Sequence, residues 1–203
     1  STISLRRLMD EGAIVVCNLS KGALGESTAH PLGALLIAAI AQAALSRTDT
    51  PASQRRPFHL YVDEFQAFAT DSFGLILSEA RKYGLTLTIA HQYLEQLPDS
   101  LRAAVFGNVG SILACRTGAS DASLLAEQIG LKNPDALLDL ANFTAWARLL
   151  LNGAPSSPLR IDLHQAPQPH RHSVQRLINT SRLRFGRPRT EVEQRIKEFL
   201  RLS

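Results

Sequence analysis

Short apolar runs alternate with helical patterns through residues 1–150, and that alternation restricts the chain to an α/β fold in which helices cover a mostly parallel sheet. Residues 13–19 (AIVVCNL) form a continuous apolar run suited to a buried strand, followed by a loop that contains Gly22 and Gly25. A helix is predicted from Pro31, because proline is favoured at the first helical position and Leu32, Leu35, Leu36, Ala39, Ile40 and Ala43 supply a wide apolar face. Polar residues 48–57 then lead to a strand over residues 58–62. Asp71 or Ser72 can cap the next helix, whose Phe73, Ile76, Leu77 and Ala80 share one face, and Gly84 ends it as a left-handed cap. Further strands are predicted over residues 85–90, 111–115, 145–151 and 159–163, the last two as a hairpin around Gly153 and Pro155. Helices are predicted over residues 99–107 and 121–129, the latter ended by Gly130. The expected sheet has about six strands.

The texture changes at His164, which divides the chain into an α/β part over residues 1–163 and a basic tail over residues 164–203. Residues 1–150 hold 12 Lys/Arg against 14 Asp/Glu, whereas residues 151–203 hold 10 against 4. Arg160, Arg171, Arg176, Arg182, Arg184, Arg187 and Arg189 fit either a solvated tail or a strip that neutralises phosphates or an acidic partner. Helical patterns over residues 174–183 and 191–202 are expected to dock on the core or on a neighbouring subunit. The longest apolar stretch, residues 31–45, is shorter than the roughly 20 residues that cross a bilayer, so no membrane span is expected. Cys17 and Cys115, each in an apolar run, support neither a disulfide framework nor a thiolate zinc site, and fit a reducing compartment. His164, His170 and His172 lie in a Pro-rich loop without Cys or carboxylate partners, which argues against a metal site. Trp146, flanked by apolar residues, reads as strand packing rather than a base-stacking platform.

The chemistry concentrates where the strand FHLYV ends in Asp63 and Glu64. Ligands of an open α/β sheet bind at the carboxyl ends of its strands. In P-loop nucleoside triphosphatases an Asp at that point holds Mg²⁺ through water, and a neighbouring Glu polarises the attacking water. Read alone, Asp-Glu is also an ordinary capping turn. Arg81 follows 17 positions after Glu64, and Gln92 follows 11 after Arg81, just past the next strand. Arg81 and Lys82 also suit a helix C-terminus, where cations complement the dipole.

The text around these residues is more specific than any of them singly. SEARKYGLTLTIAHQYLEQL resembles the corresponding region of the conjugative coupling ATPases of type IV secretion, hexameric RecA-like motors related to the septum DNA translocases. NLSKGALG with its alanine-rich helix, and GNVGSILACRTGASDASLLAEQIG, extend the resemblance over about residues 3–150; FGRPRTEVEQ in the tail is more weakly similar. The resemblance implies that Asp63 is the Walker B carboxylate holding Mg²⁺ through water, Glu64 the catalytic base, Gln92 the polar residue that senses the γ-phosphate, and Arg81 an arginine finger acting on a neighbouring subunit's ATP. Arg116 is a second basic candidate at a subunit interface. The implied protein is a bacterial, inner-membrane-associated cytoplasmic motor. It pumps DNA through a homo-hexameric ring and meets a relaxase or transferred protein and other secretion components.

One motif of the family is absent. The phosphate-cradling G-x-x-x-x-G-K-[ST] occurs nowhere, since none of Lys21, Lys82, Lys132 and Lys197 follows a glycine. The expectation is that this Walker A half lies upstream of Ser1 and that the piece alone is inactive. Two other readings remain open at this point: a non-catalytic module of the same fold that binds DNA, a relaxase or an accessory protein, and a related hexameric helicase or septum translocase. Neither a G-x-S-x-G elbow nor a G-x-G-x-x-G dinucleotide fingerprint is present.

Overall fold

A computed structural model of the chain describes residues 3–68, 72–167 and 171–201. Asp71, His170 and Leu202, which enter the expectations above, lie outside the described residues. The chain divides into two compact units, one of Leu5–His164 and one that comprises residues 165 onward with the first four.

The larger unit opens with α1 (Leu5–Glu11), after which residues 13–20 run without a sheet ladder. This departs from the strand expected over 13–19: Ile14 and Val16 are 96% and 87% exposed. A strand needs a neighbour's edge to satisfy its backbone, and apolar sequence alone does not supply one. After α2 (Lys21–Leu24), α3 spans Glu26–Leu45, so Pro31 lies inside the helix rather than at its start. Its ring removes the bond to the carbonyl of Ser27. Glu26 compensates at the new start, complementing the helix dipole and pairing with Lys21 at 2.8 Å. With the turn that follows, Glu26–Asp49 is long and apolar enough to cross a bilayer by length and composition, so the apolar segment is longer than residues 31–45 alone, a test that the core helix of a globular fold passes equally. In this fold its Ala29, Ile37, Ile40 and Ala44 are buried core residues.

Strand β1 (Phe58–Val62) and β2 (Leu85–Ile89) pair in parallel, with Phe58 opposite Leu85 and Val62 opposite Ile89. The crossover between them contains α4 (Ser72–Glu79) and a 3-10 turn, Ala80–Tyr83, which Gly84 ends at φ 75°. Parallel strands require such a crossover, and the helix covers the pair with Phe73 and Ile76. After α5 (Asp99–Asn108), β3 (Ile112–Ala114) begins a second sheet of order β3–β4–β7, with β4 at Thr144–Arg148 and β7 at Leu159–Asp162. Both of its pairings are antiparallel, so the parallel part of the sheet structure is smaller than the alternation implied. The run 145–151 divides because Leu150–Leu151 (β5) turns back on Ala154–Pro155 (β6) through Asn152 and Gly153, both at positive φ, as a tight hairpin demands. Between β3 and β4 lie α6 (Ala119–Ile129) and α7 (Asp135–Leu138).

Two apolar clusters make the core. The first joins α1, α3, the parallel pair, α4 and α5 through Met9, Ile40, Val62, Phe65, Phe73 and Leu101. The second joins β3, α6 and α7 through Ile112, Ala126, Ile129 and Leu137, and half-buried Phe106, Val109 and Leu125 pack against both. Trp146 of β4 packs in the second cluster and donates Nε1–H to the carbonyl of Ala136 at 3.2 Å. The smaller unit consists of α8 (Arg171–Phe185) and α9 (Arg189–Arg201), whose Leu177, Leu183, Ile196, Phe199 and Leu200 are exposed.

Candidate functional site

The chain leaves β1 at Val62 and turns sharply through Asp63 and Glu64. Glu64 adopts φ 50°, ψ 45°, a left-handed conformation that costs a non-glycine residue about 1–3 kcal/mol and persists only where its surroundings enforce it. Those surroundings are visible. The Ala90 amide donates to the carbonyl of Val62, and the Phe65 amide donates to the carbonyl of Ala90, both at 2.9 Å, so the two parallel strands are tied on either side of the turn. Phe65 itself is fully buried, edge-on to Phe73 with ring centres 4.5 Å apart. Next along the turn, Phe68 lies against Gly33 of α3, where a Cβ would stand 2.2 Å from the ring.

So anchored, the turn presents its carboxylates at the carboxyl end of the sheet. Asp63 Oδ1 accepts the Glu64 amide at 3.0 Å. Glu64 Oε1 accepts Gln92 Nε2 at 2.7 Å, and its Oε2 accepts Gln66 Nε2 at 2.6 Å. Asp63, Glu64 and Gln92 are thus brought together from the ends of two adjacent strands. They line, with Gln66, a cleft of about 1020 Å³ whose other walls include Val15, Leu19 and α3. A carboxylate beside the open end of a sheet, with a second one oriented by amides, can hold a hydrated cation and position a water.

The Gln92 loop is held from below. Leu94, 3% exposed, donates its amide to Asp121 Oδ2 at 2.9 Å, and Asp121 is itself buried in the first turn of α6. Sequence reading missed both Gln66 and Asp121 as parts of this site. Gln66 sits only two residues past Glu64, but the left-handed turn that folds it back leaves no sequence mark. Asp121 looked like an ordinary first-turn acid, and its partner lies 27 residues away. His91, beside Gln92, is half-buried, and burial pushes its imidazole below the ordinary value, opposed by the Tyr93 backbone and the Asp121 charge.

Arg81 lies elsewhere. It is exposed in the turn Ala80–Tyr83 ahead of β2, whereas Glu64 and Gln92 follow the far ends of β1 and β2. Five strand residues separate the two ends, a span of about 13 Å at 3.3 Å per residue. The turn is fixed by two other arginines: Arg47 Nη1 donates to the carbonyl of Tyr83 at 3.1 Å, and Arg55 Nη1 donates to that of Lys82 at 2.6 Å. Arg116 follows β3, exposed, with one long bond of 3.4 Å to Asn142.

No family model and no curated protein matches the sequence. Solved structures do. The bacterial conjugative coupling protein TrwBdeltaN70, in its unbound monoclinic form, is 18% identical at a TM-score of 0.55, covering 69% of this chain and 40% of its own. The genome packaging NTPase B204 of Sulfolobus turreted icosahedral virus 2 matches in complexes with AMPPCP and with ATP-gammaS. Both matches are 13% identical at a TM-score of 0.55, over 81% and 80% of this chain and 73% and 72% of the packaging chain. The chain therefore spans less than half the length of the coupling protein. Likeness at these identities is likeness of fold, and the chain shares the α/β fold of the coupling protein and the packaging NTPase.

Proposed function

We propose that this chain carries the Walker B half of an ATP-driven DNA-translocating motor of a conjugation or type IV secretion system. The observation that supports this most is the junction of Asp63, Glu64 and Gln92 at the carboxyl ends of two parallel strands, in a fold shared with a coupling protein and a nucleotide-bound packaging NTPase. The intact motor in this reading is a homo-hexamer at the inner face of the bacterial membrane. DNA is its cargo, with a relaxase or transferred protein and other secretion components as partners.

The donor set fits magnesium. Mg²⁺ takes oxygen ligands and keeps several waters, and Asp63 commits only one of its carboxylate oxygens to a described hydrogen bond. The fit to nucleotide phosphates is partial, because the sequence contains no G-x-x-x-x-G-K-[ST] and another segment of the intact protein must cradle them. When bound, Mg-ATP supplies the γ-phosphoryl group for transfer to water. Asp63 holds the hydrated cation. Glu64 orients the water and takes its proton, and the Gln92 amide, within reach of Glu64, couples that carboxylate to the phosphate's presence. Arg81, remote from this cluster, serves the site of a neighbouring subunit, where a guanidinium stabilises charge on the phosphoryl oxygens.

The test is DNA-stimulated ATP hydrolysis by the intact protein. Glu64→Gln and Arg81→Ala are each expected to lower the rate about 10³-fold or more. Unchanged hydrolysis in both removes Glu64 and Arg81 from the motor's chemistry and leaves this chain the alternative of a binding module of this fold, a reading supported by the missing phosphate loop and the exposed basic tail. Transport of DNA by the same chemistry in a septum translocase or helicase is distinguished by cargo, through loss of plasmid transfer on deletion of the gene.

A further inference from the structure

Glu64 receives two amide donors, and only Gln92 has a part in the hydrolysis described above. The second donor, Gln66, is the better anchored. It belongs to the 3-10 turn Phe65–Ala67, fixed on one side by fully buried Phe65 and on the other by Phe68 against Gly33. Its Nε2 lies 2.6 Å from Glu64 Oε2, while its own Oε1 is buried and has no hydrogen-bond partner among the described residues. Burying an amide carbonyl unpaired is costly, so the side chain is not in this place for its own solvation. Its one side-chain bond among the described residues goes to Glu64.

A single donor fixes one oxygen of a carboxylate and leaves the group free to swing about it; two donors on different oxygens fix its plane. Gln92 is exposed on a loop, whereas Gln66 rides on the same turn as Glu64. Whenever Gln92 is engaged elsewhere, Oε1 is released and Gln66 still holds Oε2. We propose that Gln66 is a positioning residue that aims the Glu64 carboxylate, so that Oε1 alone is left to meet a water. This rests on the hydrolytic reading of Glu64.

The arrangement is tested first in this chain without nucleotide. In ¹⁵N-labelled protein, Glu64→Ala is expected to shift the side-chain amide signals of both Gln66 and Gln92, each assigned by its own loss in Gln66→Ala or Gln92→Ala. Gln92→Ala is expected to leave the Gln66 signal in place. A Gln66 signal that ignores Glu64→Ala overturns the proposal. In the intact protein, Gln66→Ala is expected to lower kcat about tenfold with KM for ATP unchanged, in line with a misaimed base. Gln66→Glu, of equal size, faces Glu64 with a like charge and is expected to move the acid limb of the kcat–pH profile up by about one pH unit. Wild-type kcat and pH profile in both variants, in a protein that Glu64→Gln silences, overturn the positioning role alone. Wild-type hydrolysis by Glu64→Gln overturns the reading beneath it as well.

Discussion

His91 illustrates how much of this site is set by single side chains whose partners lie far off in sequence. It precedes Gln92, and burial holds its imidazole below the ordinary value of 6.5, against the opposing pull of the Tyr93 backbone and the Asp121 charge. A base depressed on folding is protonated first in the unfolded chain, so the unfolded state gains protons as the pH drops. His91 therefore contributes full stability above about pH 6.5 and loses it as the pH falls from there toward its folded value. Urea unfolding at about pH 7.5 and about pH 5.5 measures this against the carboxylates, which titrate lower. The wild-type chain is expected to lose more stability between the two than His91→Gln; equal losses dismiss His91 as the source. Nothing in the string AHQY marks this histidine as buried, because the Phe65 ring beside it and the Asp121 charge that acts on it both lie far off in sequence.

Elements show the same division between local and distant causes. β1, β2 and the caps at Gly84 and Gly130 were legible because an apolar run or a glycine after a helical face carries its own reason. That residues 13–19 join no ladder was not legible, since pairing belongs to two segments at once. Nor was the role of Arg47, which reads as the polar end of a helix. It is fully buried, with Nε and Nη2 both 3.0 Å from Asp10 Oδ1 and Nη1 shared between the carbonyls of Arg56 and Tyr83. One guanidinium thus joins α1, the end of α3, the connection to β1 and the turn that carries Arg81. Only a planar fork of several donors can serve these directions together. Arg47→Ala strands the carbonyls and opens a void, and is expected to destabilise the chain by about 3 kcal/mol, the lower end for breaking a buried pair because Asp10 keeps some solvent. Arg47→Lys should recover little of it. Chemical denaturation of the two variants checks both; a lysine variant as stable as wild type means the fork has no importance.

At the scale of the whole molecule, the positions of Arg81 and Glu64 impose a constraint on any assembly that uses both. They sit at opposite ends of one parallel pair, about 13 Å of strand apart, so one subunit does not bring them to one phosphate. A head-to-tail ring does, since each heterologous interface places one face of a subunit against a different face of the next. In the hexamer proposed above, every site then takes Glu64 from one chain and Arg81 from its neighbour. Glu64→Gln protein is silent but still offers a sound arginine, and Arg81→Ala protein is silent but still offers a sound carboxylate. Mixed in equal amounts and allowed to exchange subunits, the two are expected to regain about a quarter of the wild-type interfaces if neighbours assort at random. DNA-stimulated ATP hydrolysis reads this directly, against a background in which neither protein alone turns over. Recovery that rises and then falls with the mixing ratio assigns the two residues to opposite sides of a shared site. A mixture as inactive as its components, in rings shown by mass spectrometry to contain both chains, means that Arg81 does not complete its neighbour's site. Its charge then belongs, with that of Lys82, to the end of the helical segment that carries it.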